Sequence, residues 1–252
     1  MAGTQKGRVT VCETCENEGI GRRNLLKFGA AGVVALGLGG ATWQARAADG
    51  TPTPSGFTPD EALEALKAGN ADFVSHPELC SIELEDQRSA TFEGQAPWAT
   101  IISCADSRVP PELIFGGHGL GELFVARNAG NLVDTATLGT VEYGSVVLGS
   151  PLIVVLAHTS CGAVAAACDV VTKNATYPGA IGPMIDPILP SALAVRDDAG
   201  DYVNNTAVES ARRTAARLIS TSALIADLVD EGRLKIHAAI YDLQTGIVTY
   251  LD

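Results

Sequence analysis

The sequence predicts an α/β fold: a mostly parallel β-sheet flanked by helices, with an antiparallel hairpin at the C-terminal end. The first observation is that short apolar segments rich in β-branched residues alternate with longer segments of helical periodicity, as in sheets built from strand–helix units. The second is that the last two apolar segments are joined by the short turn sequence 244–246, which favours a hairpin. The third is that the 252 residues, 46% of them hydrophobic, suffice for one sizeable core and are short for two.

The predicted elements follow one another along the chain. A first helix begins at Thr58, because threonine is a good cap, Pro59 fits the first helical position and Glu61 completes a capping box. Buried strands are predicted at 98–103, 123–126 and 152–157, and the strands of the hairpin at 234–241 and 247–251. Helical periodicity predicts the remaining elements at 134–148, 162–171, 205–220 and 221–230.

The first 47 residues are interpreted as an export signal that is removed. Arg22 and Arg23 precede a glycine-broken apolar run, 28–43, and a small-residue cleavage site, 45–47, a pattern that resembles a twin-arginine signal. The run is shorter than the about 20 residues that span a bilayer, so we expect no stable membrane anchor after processing and a periplasmic or extracellular location. Residues 48–56, rich in Gly, Pro, Ser and Thr, are the predicted linker, and residues 57–252 the predicted folded domain.

The charge balance argues against two classes of partner. With 17 Lys and Arg against 29 Asp and Glu, the chain carries a formal net charge of −12. A surface this acidic does not attract nucleic acid or anionic lipid. We therefore expect no nucleic-acid partner.

Two short segments hold the residue types that bind a borderline-soft metal ion. Cys104 stands where the first predicted strand ends, and His158 and Cys161 follow the third. Because ligands bind beyond the carboxyl ends of parallel strands, these distant residues can meet there, and two thiolates with one imidazole are typical ligands of catalytic Zn²⁺. A buried His near a buried Cys is also common core material. Asp106 and Arg108 favour a site, since burying either of them unpaired is costly.

At these residues the sequence resembles a known family. The motifs Cys104-Ala-Asp-Ser-Arg108 and His158-Thr-Ser-Cys161-Gly162, with the segment 121–130, resemble the β-class carbonic anhydrases over about residues 95–166. The resemblance implies reversible hydration of CO₂ to bicarbonate and a proton through zinc-bound hydroxide, with one Zn²⁺ per subunit held by Cys104, His158 and Cys161. It also implies a catalytic hydrogen-bonded dyad of Asp106 and Arg108, and a homodimer or dimer-based oligomer.

The resemblance further implies a substrate pocket that includes Gln95, Phe124, Tyr143 and Gly162, with the two aromatic residues contributed by the partner subunit. Considered without the family, Gln95 could be an ordinary loop amide, and the aromatic residues could be plain core. Family members that close their site with the Asp typically carry Trp three residues before the first Cys. Ile101 stands there in this chain, so we expect a mainly open site at neutral pH.

Other interpretations stay open on the sequence alone. The same fold and ligands suit hydrolysis of carbonyl sulfide or carbon disulfide, whereas a zinc-binding scaffold without turnover would not need the Asp106–Arg108 pair. Cys168 is expected to be a packed thiol, although Cys80 could pair with it in an oxidising compartment. His118 could shuttle protons or be an ordinary solvated loop residue.

Overall fold

The computed structural model describes residues 55–76, 84–117 and 119–251. The predicted export signal, most of the predicted linker, Cys80 and His118 lie outside these residues, and the statements about them stay predictions. Within the described ranges, no helix combines the length and the apolar character that a membrane span requires.

A single five-stranded sheet forms the centre of the described structure. Its strand order is β2-β1-β3-β4-β5. The pairs β1–β2, β1–β3 and β3–β4 are parallel, and β4–β5 is antiparallel. This topology confirms the predicted fold class, including the C-terminal antiparallel pair. The strands are β1 (Ala99–Cys104), β2 (Leu123–Asn128), β3 (Leu152–His158), β4 (Lys235–Tyr241) and β5 (Val248–Leu251).

Helices connect and cover the strands. The α-helices are α1 (Pro59–Ser75), α2 (Leu84–Thr91), α3 (Pro111–Ile114), α4 (Thr135–Glu142), α5 (Gly162–Lys173), α6 (Ile181–Ile185), α7 (Leu189–Ala194), α8 (Tyr202–Thr221) and α9 (Ala223–Asp230). The sequence did not predict α3, α6 or α7, which are too short to show a helical apolar period, or α2, which is mostly polar. A 3₁₀ turn (Asp186–Ile188) joins α6 to α7.

The helix predicted over 134–148 is divided in the structure. An α-helical part, α4, is followed by a π-helical turn (Tyr143–Val147). Gly144 in this turn lies so close to β2 that a Cβ added there would be 2.8 Å from Cδ1 of Phe124. The turn therefore packs directly against the edge of the sheet.

The start of α1 has the predicted capping box. The Thr58 hydroxyl accepts a hydrogen bond from the Glu61 backbone N–H, and the Glu61 carboxylate accepts one from the Thr58 backbone N–H. Further along α1, the buried Asn70 donates to the carbonyl oxygens of Ile114 and Gly246 and accepts from Val248 N–H. These bonds attach α1 to the side of the sheet that it covers.

Alternate residues of β1 face two separate layers of core. Ile102 and Cys104 belong to the larger layer, which is built with α5, α8 and α9, whereas Ile101 faces the smaller layer under α1. All residues of β1 and β3 are buried. The last residues of both strands, Cys104 and His158, are therefore supported by fully buried strands.

Candidate metal centre

Three side chains with metal-binding atoms converge at the carboxyl edge of the sheet. Cys104 ends β1 and His158 ends β3, and these two strands are neighbours. Cys161 follows three residues after His158 and is the N-cap of α5. All three residues are buried, and their ligand atoms lie within 4.8 Å of one another. In the described part of the chain, no other group of His, Cys, Asp and Glu side chains meets this condition.

The imidazole of His158 is oriented so that one nitrogen faces this cluster. Its Nδ1 lies 2.9 Å from the carbonyl oxygen of Thr159. Because a carbonyl can only accept, Nδ1 carries a proton, and in the neutral imidazole the lone pair is therefore on Nε2. Nε2 is buried and has no hydrogen-bond partner. A buried nitrogen lone pair without a partner is costly, and a metal ion at the cluster would satisfy it.

The two sulfur atoms also favour a cation. They lie 3.9 Å apart, and Gly130 N–H donates to Sγ of Cys104 at 3.4 Å. The hydrogen bond from the Cys161 thiol lowers the pKa of Cys104, and the same contact raises the pKa of Cys161. Because two thiolates this close together repel each other, ionisation of both needs a positive ion close by. A dithiolate–imidazole donor set is one that suits Zn²⁺.

A carboxylate is held beside the cluster by an arginine. Oδ2 of Asp106 lies 3.9 Å from Nε2 of His158. Arg108 donates from its backbone N and from Nε to Oδ1 at 2.9 Å each, and from Nη2 to Oδ2 at 2.7 Å. The side-chain hydrogen bonds from Arg108 hold the pKa of Asp106 well below its usual range. The carboxylate thus stays ionised and is tied to the guanidinium.

The other predicted pocket residues are not all brought to this cluster. Gly162 lies at the cluster, because it is the first residue of α5, next to Cys161. Phe124 pairs with Thr100, four residues before Cys104 on β1, which places it about 13 Å along the strand from the cluster. Tyr143 lies beside Phe124, with ring centroids 6.1 Å apart.

Gln95 also lies away from the cluster in the same chain. It precedes β1, and its Cα is 3.9 Å from the position that a Cβ of Gly121 would take. Gly121 lies shortly before β2, so Gln95 is at the end of the sheet where the parallel strands begin. Cys104 is at the other end, where β1 finishes. One chain therefore assembles the donor set and the Asp106–Arg108 pair, but not Gln95, Phe124 and Tyr143.

Comparison with known proteins assigns the fold and the cluster to a family. The family model described as carbonic anhydrase matches residues 99–248, a range that holds the donor set and the dyad. The chain belongs to the carbonic anhydrase family. Carbonic anhydrase 2 of Mycobacterium tuberculosis is 39% identical over 194 residues, which are 77% of this chain and 93% of that protein.

Solved structures of β-carbonic anhydrases share the architecture. A β-carbonic anhydrase of Aspergillus fumigatus has a TM-score of 0.60 at 25% identity and covers 77% of this chain and 90% of its own. A tetrameric β-carbonic anhydrase of Sordaria macrospora has a TM-score of 0.58 at 23% identity, covering 76% of this chain and 97% of its own, and this likeness concerns the fold alone. The chain is therefore a carbonic anhydrase of the β class, a class of zinc enzymes.

Two residues that support this carbonic anhydrase site had no role assigned from the sequence. Arg127 donates from Nε to the carbonyl of Cys104 at 3.0 Å and from Nη2 to the carbonyl of Asp106 at 2.7 Å. Asn204 accepts a hydrogen bond from Ser160 N–H at 3.0 Å. The parallel pairing of β1 and β2 could have pointed to Arg127, which lies opposite Ser103. No local signal marks Asn204.

Proposed function

We propose that this chain catalyses the reversible hydration of CO₂ to bicarbonate and a proton at one zinc ion per subunit, held by Cys104, His158 and Cys161. The observation that carries the proposal is the buried, partnerless Nε2 of His158, which faces two sulfur atoms 3.9 Å apart. Three protein donors leave a fourth tetrahedral position, as in catalytic rather than structural zinc sites.

Each residue of the site has a separate task in this reaction. The chemistry that Zn²⁺ supplies when bound is Lewis acidity, which lowers the pKa of a water molecule to about 7 and makes a nucleophile at neutral pH. Asp106, whose Oδ2 is 3.9 Å from Nε2 of His158, accepts a hydrogen bond from the attacking solvent molecule and orients it toward the carbon of CO₂. Arg108 holds the carboxylate by two side-chain hydrogen bonds and keeps it out of the fourth ligand position.

The direct test is CO₂ hydration by the protein without residues 1–47, with and without zinc, followed by stopped-flow spectrophotometry with a pH indicator. We expect a large acceleration that depends on zinc and is lost after chelation, because the nucleophile forms only with the metal. A protein with one zinc per chain that does not hydrate CO₂ would contradict the proposal. If that same preparation hydrolysed carbonyl sulfide, the result would favour carbonyl sulfide over CO₂ as the substrate.

A second copy of the chain completes the substrate pocket in this proposal. In one chain, Phe124 lies about 13 Å along the strands from the end of β1 that carries Cys104, and Tyr143 lies beside Phe124. They lie on or beside β2, the outermost strand of the sheet, and two side chains of the adjoining π-helical turn, Tyr143 and Val146, are 37% and 45% exposed. Exposed apolar side chains next to an open strand edge are typical of a surface that another subunit covers.

Subunit complementation tests this shared pocket. Tyr143→Ala should lower CO₂ hydration about tenfold, because the substrate is less well positioned, and Cys161→Ser should abolish it. When the two variants are co-expressed, mixed dimers pair the intact donor set of one chain with Tyr143 of the other. We expect the co-expressed protein to be several-fold more active than the summed activities of the separate variants. Activity equal to that sum would show that each chain uses its own Tyr143.

A further inference from the structure

The segment between His158 and Cys161 makes a sharp turn that depends on one residue. Ser160, directly before Cys161, has a φ of +53°. Residues other than glycine adopt this left-handed conformation only when the surrounding structure holds them there. Since Ser160 lies between two proposed zinc ligands, its conformation sets the position of the Cys161 sulfur relative to Nε2 of His158.

Besides the bond between His158 Nδ1 and the Thr159 carbonyl, three hydrogen bonds hold this turn, and one of them acts on Ser160 itself. Thr159 is fixed by its backbone N–H, which donates to the carbonyl of Tyr241 at 2.9 Å, and by its hydroxyl, which accepts from Leu243 N–H at 3.0 Å. Ser160 N–H donates instead to Oδ1 of Asn204 at 3.0 Å. Because a backbone N–H can only donate, the side-chain atom of Asn204 that faces it must be the amide oxygen.

Asn204 is itself held firmly. It is the third residue of α8, and its backbone N–H donates at 2.7 Å to Oδ1 of Asp201, the N-cap of that helix. The helix α8 is 20 residues long and contributes Ala207, Ala211 and Leu218 to the larger core layer. The amide oxygen of Asn204 is therefore presented to Ser160 from a rigid part of the fold, 44 residues further along the chain.

We infer that Asn204 is a positioning residue for the metal centre. Its amide oxygen stabilises the left-handed conformation of Ser160, and this conformation places Sγ of Cys161 at the right distance from Nε2 of His158. The inference rests on the proposed function, since it assumes that these two atoms bind the same zinc ion. Groups that orient metal ligands in this way usually change metal affinity by about 10- to 100-fold when they are removed.

The test compares substitutions of Asn204 that differ in the acceptor. Asn204→Leu keeps the branched shape of the side chain and removes the oxygen, so we expect the zinc dissociation constant to rise about tenfold. Asn204→Asp keeps an acceptor at the same place and should retain the affinity of the unmodified protein. Zinc affinity is measured by competition with a chromogenic chelator. The absorption of the Co²⁺-substituted protein reports whether the thiolate geometry has changed.

Two further variants separate positioning from general damage to the fold. Asn205→Leu changes the neighbouring residue, whose Nδ2 donates to the carbonyl of Ala199, and should leave zinc affinity unchanged. Ser160→Gly combined with Asn204→Leu should restore most of the affinity, because glycine adopts a positive φ without strain. Thermal unfolding of the zinc-free variants shows whether each one still folds, and Asn204→Ala is used if the leucine variant does not.

The possible outcomes are distinct. Unchanged zinc affinity in a folded Asn204→Leu protein would overturn the inference. A weakened affinity that Ser160→Gly does not restore would also overturn it, because the loss would then not pass through the conformation of Ser160. If the unmodified protein itself binds no zinc, the proposed function fails together with the inference.

Discussion

Replacing Cys161 with serine is expected to remove zinc from the protein and to lower the rate of CO₂ hydration at least about 10³-fold. A serine hydroxyl is a poor substitute for a thiolate, and only two protein donors would remain, Sγ of Cys104 and Nε2 of His158. The change should also leave Nε2 of His158 buried without a partner. Zinc content per chain, measured together with stopped-flow hydration rates, gives both quantities on one sample.

Cys168 provides the matched control for this substitution. It lies on the same helix as the cap residue Cys161, it is equally buried, and its sulfur contacts the Thr206 hydroxyl at 3.4 Å instead of the cluster. Cys168→Ser should therefore keep a full complement of zinc and the hydration rate of the unmodified protein. A Cys161→Ser protein with full zinc and full activity would show that the metal site lies elsewhere or that the reaction does not need it.

Replacing Asp106 with asparagine should lower kcat about 10²-fold while zinc stays bound. Asparagine has nearly the same shape, but it carries no charge, and it offers an amide N–H₂ group where Asp106 offers a second acceptor oxygen. The solvent nucleophile would then lose the group that orients it. Asp169→Asn is a suitable control, because that carboxylate pairs with Lys173 on the outer side of α5 and is not part of the cluster.

Replacing Arg108, the partner of Asp106 in the dyad, with alanine should have a different effect. The guanidinium of Arg108 holds the pKa of Asp106 well below its usual range, so the pair persists at neutral and mildly acid pH and is lost only when strong acid protonates the carboxylate. In Arg108→Ala, the freed carboxylate, whose Oδ2 lies 3.9 Å from Nε2 of His158, would be able to bind a zinc ion held by the cluster. X-ray absorption at the zinc edge should then show a carboxylate ligand at pH 8 in the variant and three protein ligands in the unmodified protein. Four protein ligands in the unmodified protein at pH 8 would contradict the open-site expectation.

Much of the fold follows from local patterns in the sequence. The start of α1 could be predicted because its capping box lies within four residues, Thr58 to Glu61. The strands β1 and β3 could be predicted because they are buried on both faces and therefore form runs of mostly apolar residues. Their parallel pairing then places Cys104 and His158 at the same edge, which is why both could be named before the structure was known.

What could not be predicted depends on contacts between distant parts of the chain. The π-helical turn at Tyr143 has an ordinary helical sequence, and only the packing of Gly144 against Phe124 distinguishes it. Asn204 looks like any polar residue in the first turn of a helix, and its contact with Ser160 exists only because α8 packs beside the end of β3. Helices α6 and α7 are too short, and too interrupted by proline, to leave a periodic signal.

The closeness of the two cluster sulfurs has a consequence for the order of events in the cell. Side chains 3.9 Å apart need only a small movement to become covalently joined by an oxidant, and the cross-linked pair would have no thiolate left to offer. A polypeptide bound for an oxidising compartment is therefore safest if the metal occupies its ligands before it leaves the reducing interior. If the first 47 residues are an export signal, as the sequence predicts, an export route for already folded proteins would allow maturation in that order.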